Sequence, residues 1–137
     1  MATMELTKIM RFSAAHRLAS PRLSTAENRR RYGPCSRLHG HNYALEVTVR
    51  GPVDADGMVM DLTVLERAMR AVIDLVDHRD LGRAVPVLAG TVTTGENLAA
   101  EFYGILDRAL PPGKLKRVAV VETENNRFEY EAAGGAA

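Results

Sequence analysis

This 137-residue chain contains one cysteine, no tryptophan and a formal net charge of only +1. Each scarcity excludes something. A single thiol cannot close an internal disulfide, so Cys35 is either a small buried hydrophobe or a reactive group. Lysine plus arginine (18) nearly balances aspartate plus glutamate (17), so no strong field draws in a nucleic acid or an anionic membrane. With four Tyr, three Phe and no Trp, a base-stacking platform is not expected either. No run of about 18 apolar residues exists to span a bilayer, and the opening Met-Ala-Thr-Met-Glu lacks the apolar stretch of a secretory signal; a cytoplasmic location is the expectation. A Gly-x-x-x-x-Gly-Lys phosphate loop is missing too, which disfavours nucleotide hydrolysis of that design.

What is present is the make-up of one globular domain. Hydrophobic residues form 46% of the chain and charged residues 26%, enough to fold and too little length for two cores. The expectation is a single domain over 1–137 with an ordered core over 4–131 and a frayed tail at 134–137.

From Met4 to His16 the even positions are mostly apolar, the alternation of a half-buried strand. A second such run starts at His39, with His39, His41, Tyr43, Leu45, Val47 and Val49 on one face. Residues 18–38, with Pro21, Gly33 and Pro34, form a long connection that a compact domain seldom carries without a use. Apolar residues at 62, 65, 69, 72, 73 and 76 trace a helical stripe, with Thr63 and Glu66 at capping-box spacing. The segment from Glu96 to Leu110 repeats the pattern, preceded by Thr93 at box spacing and stopped by Pro111-Pro112-Gly113. Val118, Val120 and Glu122 then share a strand face, as do Phe128 and Tyr130 across the Glu124-Asn125-Asn126 turn. The predicted order is ββααββ: an α+β fold in which an antiparallel four-stranded sheet carries a helix pair on one face.

Side chains two apart on a strand point the same way, so His39 and His41 can converge on one ion with His16 arriving from the neighbouring strand. Three imidazoles are the ligand count of a catalytic zinc site with one position open, although other transition ions accept the same donors. The competing reading is a pair of hydrogen-bonded surface histidines. Cys35, four residues before His39, can border the same pocket, where a thiolate serves as base or nucleophile. Asp77-His78 ends the first helix: either the carboxylate fixes the imidazole's tautomer, or the histidine merely complements the helix dipole. Glu122 occupies a core-facing position where an unpaired carboxylate is costly. A planar ligand with two adjacent N–H donors would satisfy it; otherwise it reaches water at the strand end. Arg29-Arg30-Arg31 with Arg37 are a phosphate contact or a solvated charge run.

These pieces, read together, resemble the 6-pyruvoyl tetrahydropterin synthase and 6-carboxytetrahydropterin synthase family. The resemblance rests on Phe12-Ser13-Ala14-Ala15-His16-Arg17-Leu18, Cys35 through His39-Gly40-His41-Asn42-Tyr43, Gly57-Met58-Val59-Met60-Asp61-Leu62, Leu75-Val76-Asp77-His78, Thr93-Thr94-Gly95-Glu96-Asn97 and Glu122-Thr123-Glu124-Asn125-Asn126, in the family's order. It implies a tunnelling fold (T-fold) assembled as a homohexamer, two stacked trimers with active sites between subunits. It implies 7,8-dihydroneopterin triphosphate as substrate, Zn2+ on His16, His39 and His41, Cys35 as proton acceptor with Asp77 and His78 as its relay, and Glu122 as anchor of the pterin ring. Thr93 and Thr94 match residues beside the pterin.

The branch is read from a mosaic. The spacing Cys-x-x-x-His-Gly-His resembles the carboxy-forming enzymes of the deazapurine (queuosine-type) pathway. The segment Leu23-Ser24-Thr25-Ala26-Glu27-Asn28 to Tyr32-Gly33 and the Glu-Thr-Glu-Asn-Asn turn resemble the pyruvoyl branch. Because the spacing sits beside the expected base, the expected product is 6-carboxytetrahydropterin, with 6-pyruvoyl tetrahydropterin as the alternative. A pterin-binding homologue without catalysis and a zinc hydrolase are the rivals from other classes.

Overall fold

The computed structural model describes residues 2–132; the tail expected at 134–137 lies outside them. Two 13-residue strands dominate, β1 (Met4–His16) and β2 (His39–Gly51), paired antiparallel from Met4 opposite Gly51 to His16 opposite His39. Their alternation sets the register: only one pairing parity brings Phe12, Ala14, Tyr43, Leu45, Val47 and Val49 onto the same buried face. On the far side of β2 lies β4 (Leu115–Thr123), followed outward by β5 (Asn126–Tyr130).

Among the described residues the sheet has five strands of mixed direction, not the expected four antiparallel ones. A two-residue strand, β3 (Arg79–Asp80), adds in parallel to the outer edge of β1, giving the order β3-β1-β2-β4-β5. It has no periodicity to betray it because two residues make no pattern. Its pairing lies opposite Ala14 and Ala15, flanked by His78 N–H to the Ser13 carbonyl at 2.6 Å and Leu81 N–H to the Ala15 carbonyl at 2.8 Å.

Among the described residues the α-helices number three, not two. Within the long connection, α1 (Thr25–Tyr32) is a short polar helix that buries no residue, so no apolar stripe announces it. Its signature is the capping box, in which Ser24 Oγ accepts from Glu27 N–H and Glu27 accepts from Ser24 N–H. The amphipathic pair α2 (Leu62–Val76) and α3 (Gly95–Ala109) stands where the stripes predict, with different caps. Asp61 rather than Thr63 caps α2 by accepting from Thr63 N–H, and Thr94 rather than Thr93 caps α3 by accepting from Asn97 N–H.

Leu65, Met69 and Val72 of α2 and Leu98, Phe102 and Leu106 of α3 are fully buried against the inner sheet face. Each such side chain contributes about 1.5–3 kcal/mol relative to exposure, which keeps both helices on one side. The opposite face carries ion pairs, Arg127 to Glu46 at 2.6 Å and Arg117 to Glu5 at 3.0 Å and to Glu131 at 2.9 Å. None of the described helices is long and apolar enough to cross a membrane.

Candidate functional site

The strand register places the histidines. His16 and His39 are direct cross-strand partners, and His41 lies opposite Ala14 on the same face, so three rings crowd one end of the inner face. Ring centroids are 4.6 Å apart for His16 and His39, 4.8 Å for His39 and His41, and 5.2 Å for His16 and His41. One nitrogen from each falls within 4.8 Å of the other two, the only such metal-competent group among the described residues.

Whether these rings suit a metal is decided by their second nitrogens. Nδ1–H of His16 donates to the Thr93 carbonyl at 2.8 Å, and Nδ1–H of His39 donates to the Arg37 carbonyl at 2.6 Å. A carbonyl only accepts, so each bond fixes the proton on Nδ1 and leaves Nε2 with its lone pair, the outer-shell arrangement typical of ligating histidines. Burial, ahead of the neighbouring imidazoles, holds both His16 and His41 below the usual histidine range. Neutral rings are what a metal needs. The residues fit a divalent transition ion.

Glu122 reaches this cluster from β4, at the core-facing position its parity predicts. Its Oε1 lies 3.4 Å from Nε2 of His16 and 3.3 Å from Nε2 of His41, with the side chain 16% exposed. Tyr43 closes the floor: it is fully buried, stacks on Phe12 at 4.7 Å, and places its hydroxyl 3.4 Å from Nε2 of His16. Burial and then the Glu122 charge raise the Tyr43 phenol, which therefore stays protonated. Sequence reasoning placed Tyr43 on the strand without giving it a part in the site; its position two residues after His41 was the available signal.

The Asp77-His78 pair is built at the end of α2. Asp77 Oδ1 accepts the Ser13 N–H at 3.0 Å and lies 3.0 Å from Nδ1 of His78. The Ser13 N–H, more than the imidazole, holds the Asp77 carboxyl below the usual range. His78 has φ +59°, the only left-handed non-glycine among the described residues, and its ring is 81% exposed. Such strain persists where surrounding bonds impose it, here the 2.6 Å bond from His78 N–H to Ser13. A cleft of about 440 Å³ beside this pair is lined by Ser13, Gly40, His41 and Asn42 of the two long strands and by His78 and Asp80.

The other expected residues stand further out. Cys35 lies in a single turn of tight helix, Gly33–Ser36, exposed and outside the group of ligand atoms. Its carbonyl accepts from Leu18 N–H at 2.8 Å, tying that turn to the chain just after His16. Thr93 is 2% exposed and is engaged with His16, its Oγ1 3.3 Å from Nδ1, while Thr94 is occupied as the cap of α3. Arg29, Arg37, Gly33, Pro34 and Ser36 line a separate surface hollow.

Comparison with known proteins follows the same lines. The family model described as 6-pyruvoyl tetrahydropterin synthase matches residues 5–133. A Dictyostelium discoideum protein named 6-pyruvoyl tetrahydrobiopterin synthase is 44% identical, covering 93% of this chain and 96% of its own. The solved Caenorhabditis elegans 6-pyruvoyl tetrahydropterin synthase superposes with a TM-score of 0.93 at 41% identity, covering 97% and 98% of the two chains. An Archaeoglobus fulgidus protein named as a putative 6-carboxy-5,6,7,8-tetrahydropterin synthase is 30% identical over 86% of this chain and 87% of its own. The α+β sheet-and-helix layout is accordingly that of a T-fold, and the chain belongs to the 6-pyruvoyl tetrahydropterin synthase family.

Proposed function

We propose that this protein is a zinc-dependent lyase acting on 7,8-dihydroneopterin triphosphate, expelling triphosphate to give 6-pyruvoyl tetrahydropterin. This reverses the order of products expected from the Cys35-to-His39 spacing. The weight lies with likeness over nearly the whole chain, 44% to a pyruvoyl-named synthase against 30% to a carboxy-named one. The observation that carries the chemistry is the convergence of His16, His39 and His41 within 4.8 Å beside Glu122.

His16, His39 and His41 would hold the zinc through Nε2. When bound, it would supply Lewis acidity toward the substrate's side-chain hydroxyls and so ease removal of a neighbouring C–H proton. Cys35 accepts that proton, with Asp77 and His78 of the same or a neighbouring subunit as its relay. Glu122 accepts paired N–H bonds from the pyrimidine edge, and a ligand lacking those donors leaves the carboxylate unpaired. Thr93 holds His16 in place and, with Thr94, borders the ring. Supporting an inter-subunit site in a homohexamer, the outer edge of β1 before Ala14 and that of β5 have no strand partner among the described residues. The cell's cytoplasm is the proposed location.

One observation favours the carboxy product: the three-residue gap between Cys35 and His39, which places the thiol's turn close to the metal strand. Incubation with dihydroneopterin triphosphate and mass analysis of the products separates the two. A pyruvoyl pterin without acetaldehyde is the expected outcome; acetaldehyde with a carboxy pterin would reverse it. Neither product, with Cys35→Ala retaining pterin affinity, would mark a binding homologue. Hydrolysis surviving Cys35→Ala would mark a zinc hydrolase.

A further inference from the structure

We infer that the hollow at Arg29 and Arg37 holds the triphosphate of the substrate, and that the arginine-rich connection between β1 and β2 draws that anion in. The inference rests on the proposed pterin triphosphate reading. Residues 17–38 carry six arginines (Arg17, Arg22, Arg29, Arg30, Arg31 and Arg37) against one acid, Glu27, a charge of +5 in a chain whose total is +1, so the remaining 115 residues sum to −4. Glu27 is already engaged, its Oε1 accepting the Ser24 N–H at 2.9 Å. None of the six guanidiniums has an ion pair or hydrogen bond among the described residues, whereas Arg117 and Arg127 on the sheet are paired. Unpaired guanidiniums in one short segment repel one another, and a polyvalent anion relieves that repulsion.

The hollow gives this charge a shape to act through. Its volume is about 530 Å³ and it is lined by Arg29, Gly33, Pro34, Ser36 and Arg37, with no acidic side chain. Two other surface hollows with arginine pairs include acids, Asp80 beside Arg17 and Arg83, and Glu66 and Asp74 beside Arg67 and Arg70. Gly33, at φ +58°, faces open space, since a Cβ there would meet nothing within 4 Å. Ser36 donates its hydroxyl to the Gly33 carbonyl at 2.7 Å, which leaves the two guanidiniums as the charged donors. Planar guanidiniums bind phosphate oxygens through paired N–H groups, a geometry an ammonium does not offer. Position then selects the anion. Cys35 stands between the lining residues Pro34 and Ser36, and Arg37 offers its carbonyl to Nδ1–H of His39 at 2.6 Å. In the proposed substrate the phosphate ester is borne on the same short side chain that loses its proton to Cys35. A side chain presented to that thiol delivers its phosphates to the turn that carries it.

The test compares the full-length parent with the double variant Arg29→Gln/Arg37→Gln, and with Arg30→Gln as a control that removes one charge from the same helix outside the hollow. Binding of inorganic tripolyphosphate is read by calorimetry with and without a zinc chelator, which separates the hollow from any bound metal. The parent should bind in both conditions, the double variant at least about tenfold more weakly, and Arg30→Gln within about threefold of the parent. In turnover of dihydroneopterin triphosphate the double variant should raise KM at least about tenfold with kcat within about threefold, because the tail carries its charge before and during the reaction. Binding of 6-methylpterin, which lacks phosphate, should be the same in all three proteins. A double variant within twofold of an active parent in tripolyphosphate affinity and KM overturns the hollow and leaves the proposed function standing. Equal weakening by Arg30→Gln reduces the effect to diffuse charge and overturns the hollow as well. Tripolyphosphate binding with the expected losses, in a protein that turns over no dihydroneopterin triphosphate, overturns the substrate assignment together with the pterin reading.

Discussion

Replacing His16 and His39 one at a time separates their structural from their chemical parts. His16 is fully buried and its Nδ1–H is bound to the carbonyl of Thr93, itself 2% exposed. His16→Ala removes that donor inside the core and leaves a cavity, a combined cost of about 2–4 kcal/mol. At about 3 °C per kcal/mol for a domain of this size, the unfolding midpoint in excess chelator drops by roughly 6–12 °C. His39 makes its bond to Arg37 at the exposed surface, so His39→Ala should change chelator-treated stability by less than about 1 kcal/mol. If zinc binds as proposed, at about a hundredfold above its dissociation constant it should stabilise the parent by about 2.7 kcal/mol, roughly 8 °C. Both variants should lose most of that gain. The measurement is thermal unfolding by circular dichroism with chelator and with zinc. A His16→Ala protein as stable as the parent in chelator, or a His39→Ala protein with the full zinc-induced rise, would refute the division of roles.

His78→Gly relieves the left-handed strain at φ +59° and sacrifices an exposed ring, so stability should hold or rise by up to about 1 kcal/mol while turnover collapses; urea melts with product assays check both, and retained turnover would remove His78 from the relay. A Cβ at Gly95 would overlap the Phe128 ring of β5, so Gly95→Ala should cost about 1–3 kcal/mol despite better helix propensity, and an unchanged urea midpoint would contradict that packing. In metal-free protein, the native His16 and His41 rings take up protons only below the ordinary value of 6.5. Above that value both folded and unfolded rings are neutral and contribute nothing to the balance. As pH falls below it the unfolded chain binds more protons, so stability should decline on acidification. Urea midpoints at roughly pH 7.5 and 5.5 in chelator test the sign, and a rise at the lower pH would be inconsistent with buried, neutral rings.

Periodicity alone determined the two long strands, the two amphipathic helices, and the facing of His16, His39, His41 and Glu122, because side-chain direction in a strand repeats every second residue whatever lies around it. Helix α1 was half legible: its capping box could be read, but with no residue buried there was no stripe to extend it. Only the tertiary structure decided that His16 and His39 are direct partners, that Asp77 accepts the Ser13 N–H, and that a two-residue strand docks the chain after Asp77 and His78 onto β1. It also brought the Glu122 oxygen within 3.4 Å of ring nitrogens of His16 and His41. Those contacts join residues tens of positions apart, and their distances depend on how the helix pair seats the sheet, a property of packed surfaces that no local pattern encodes.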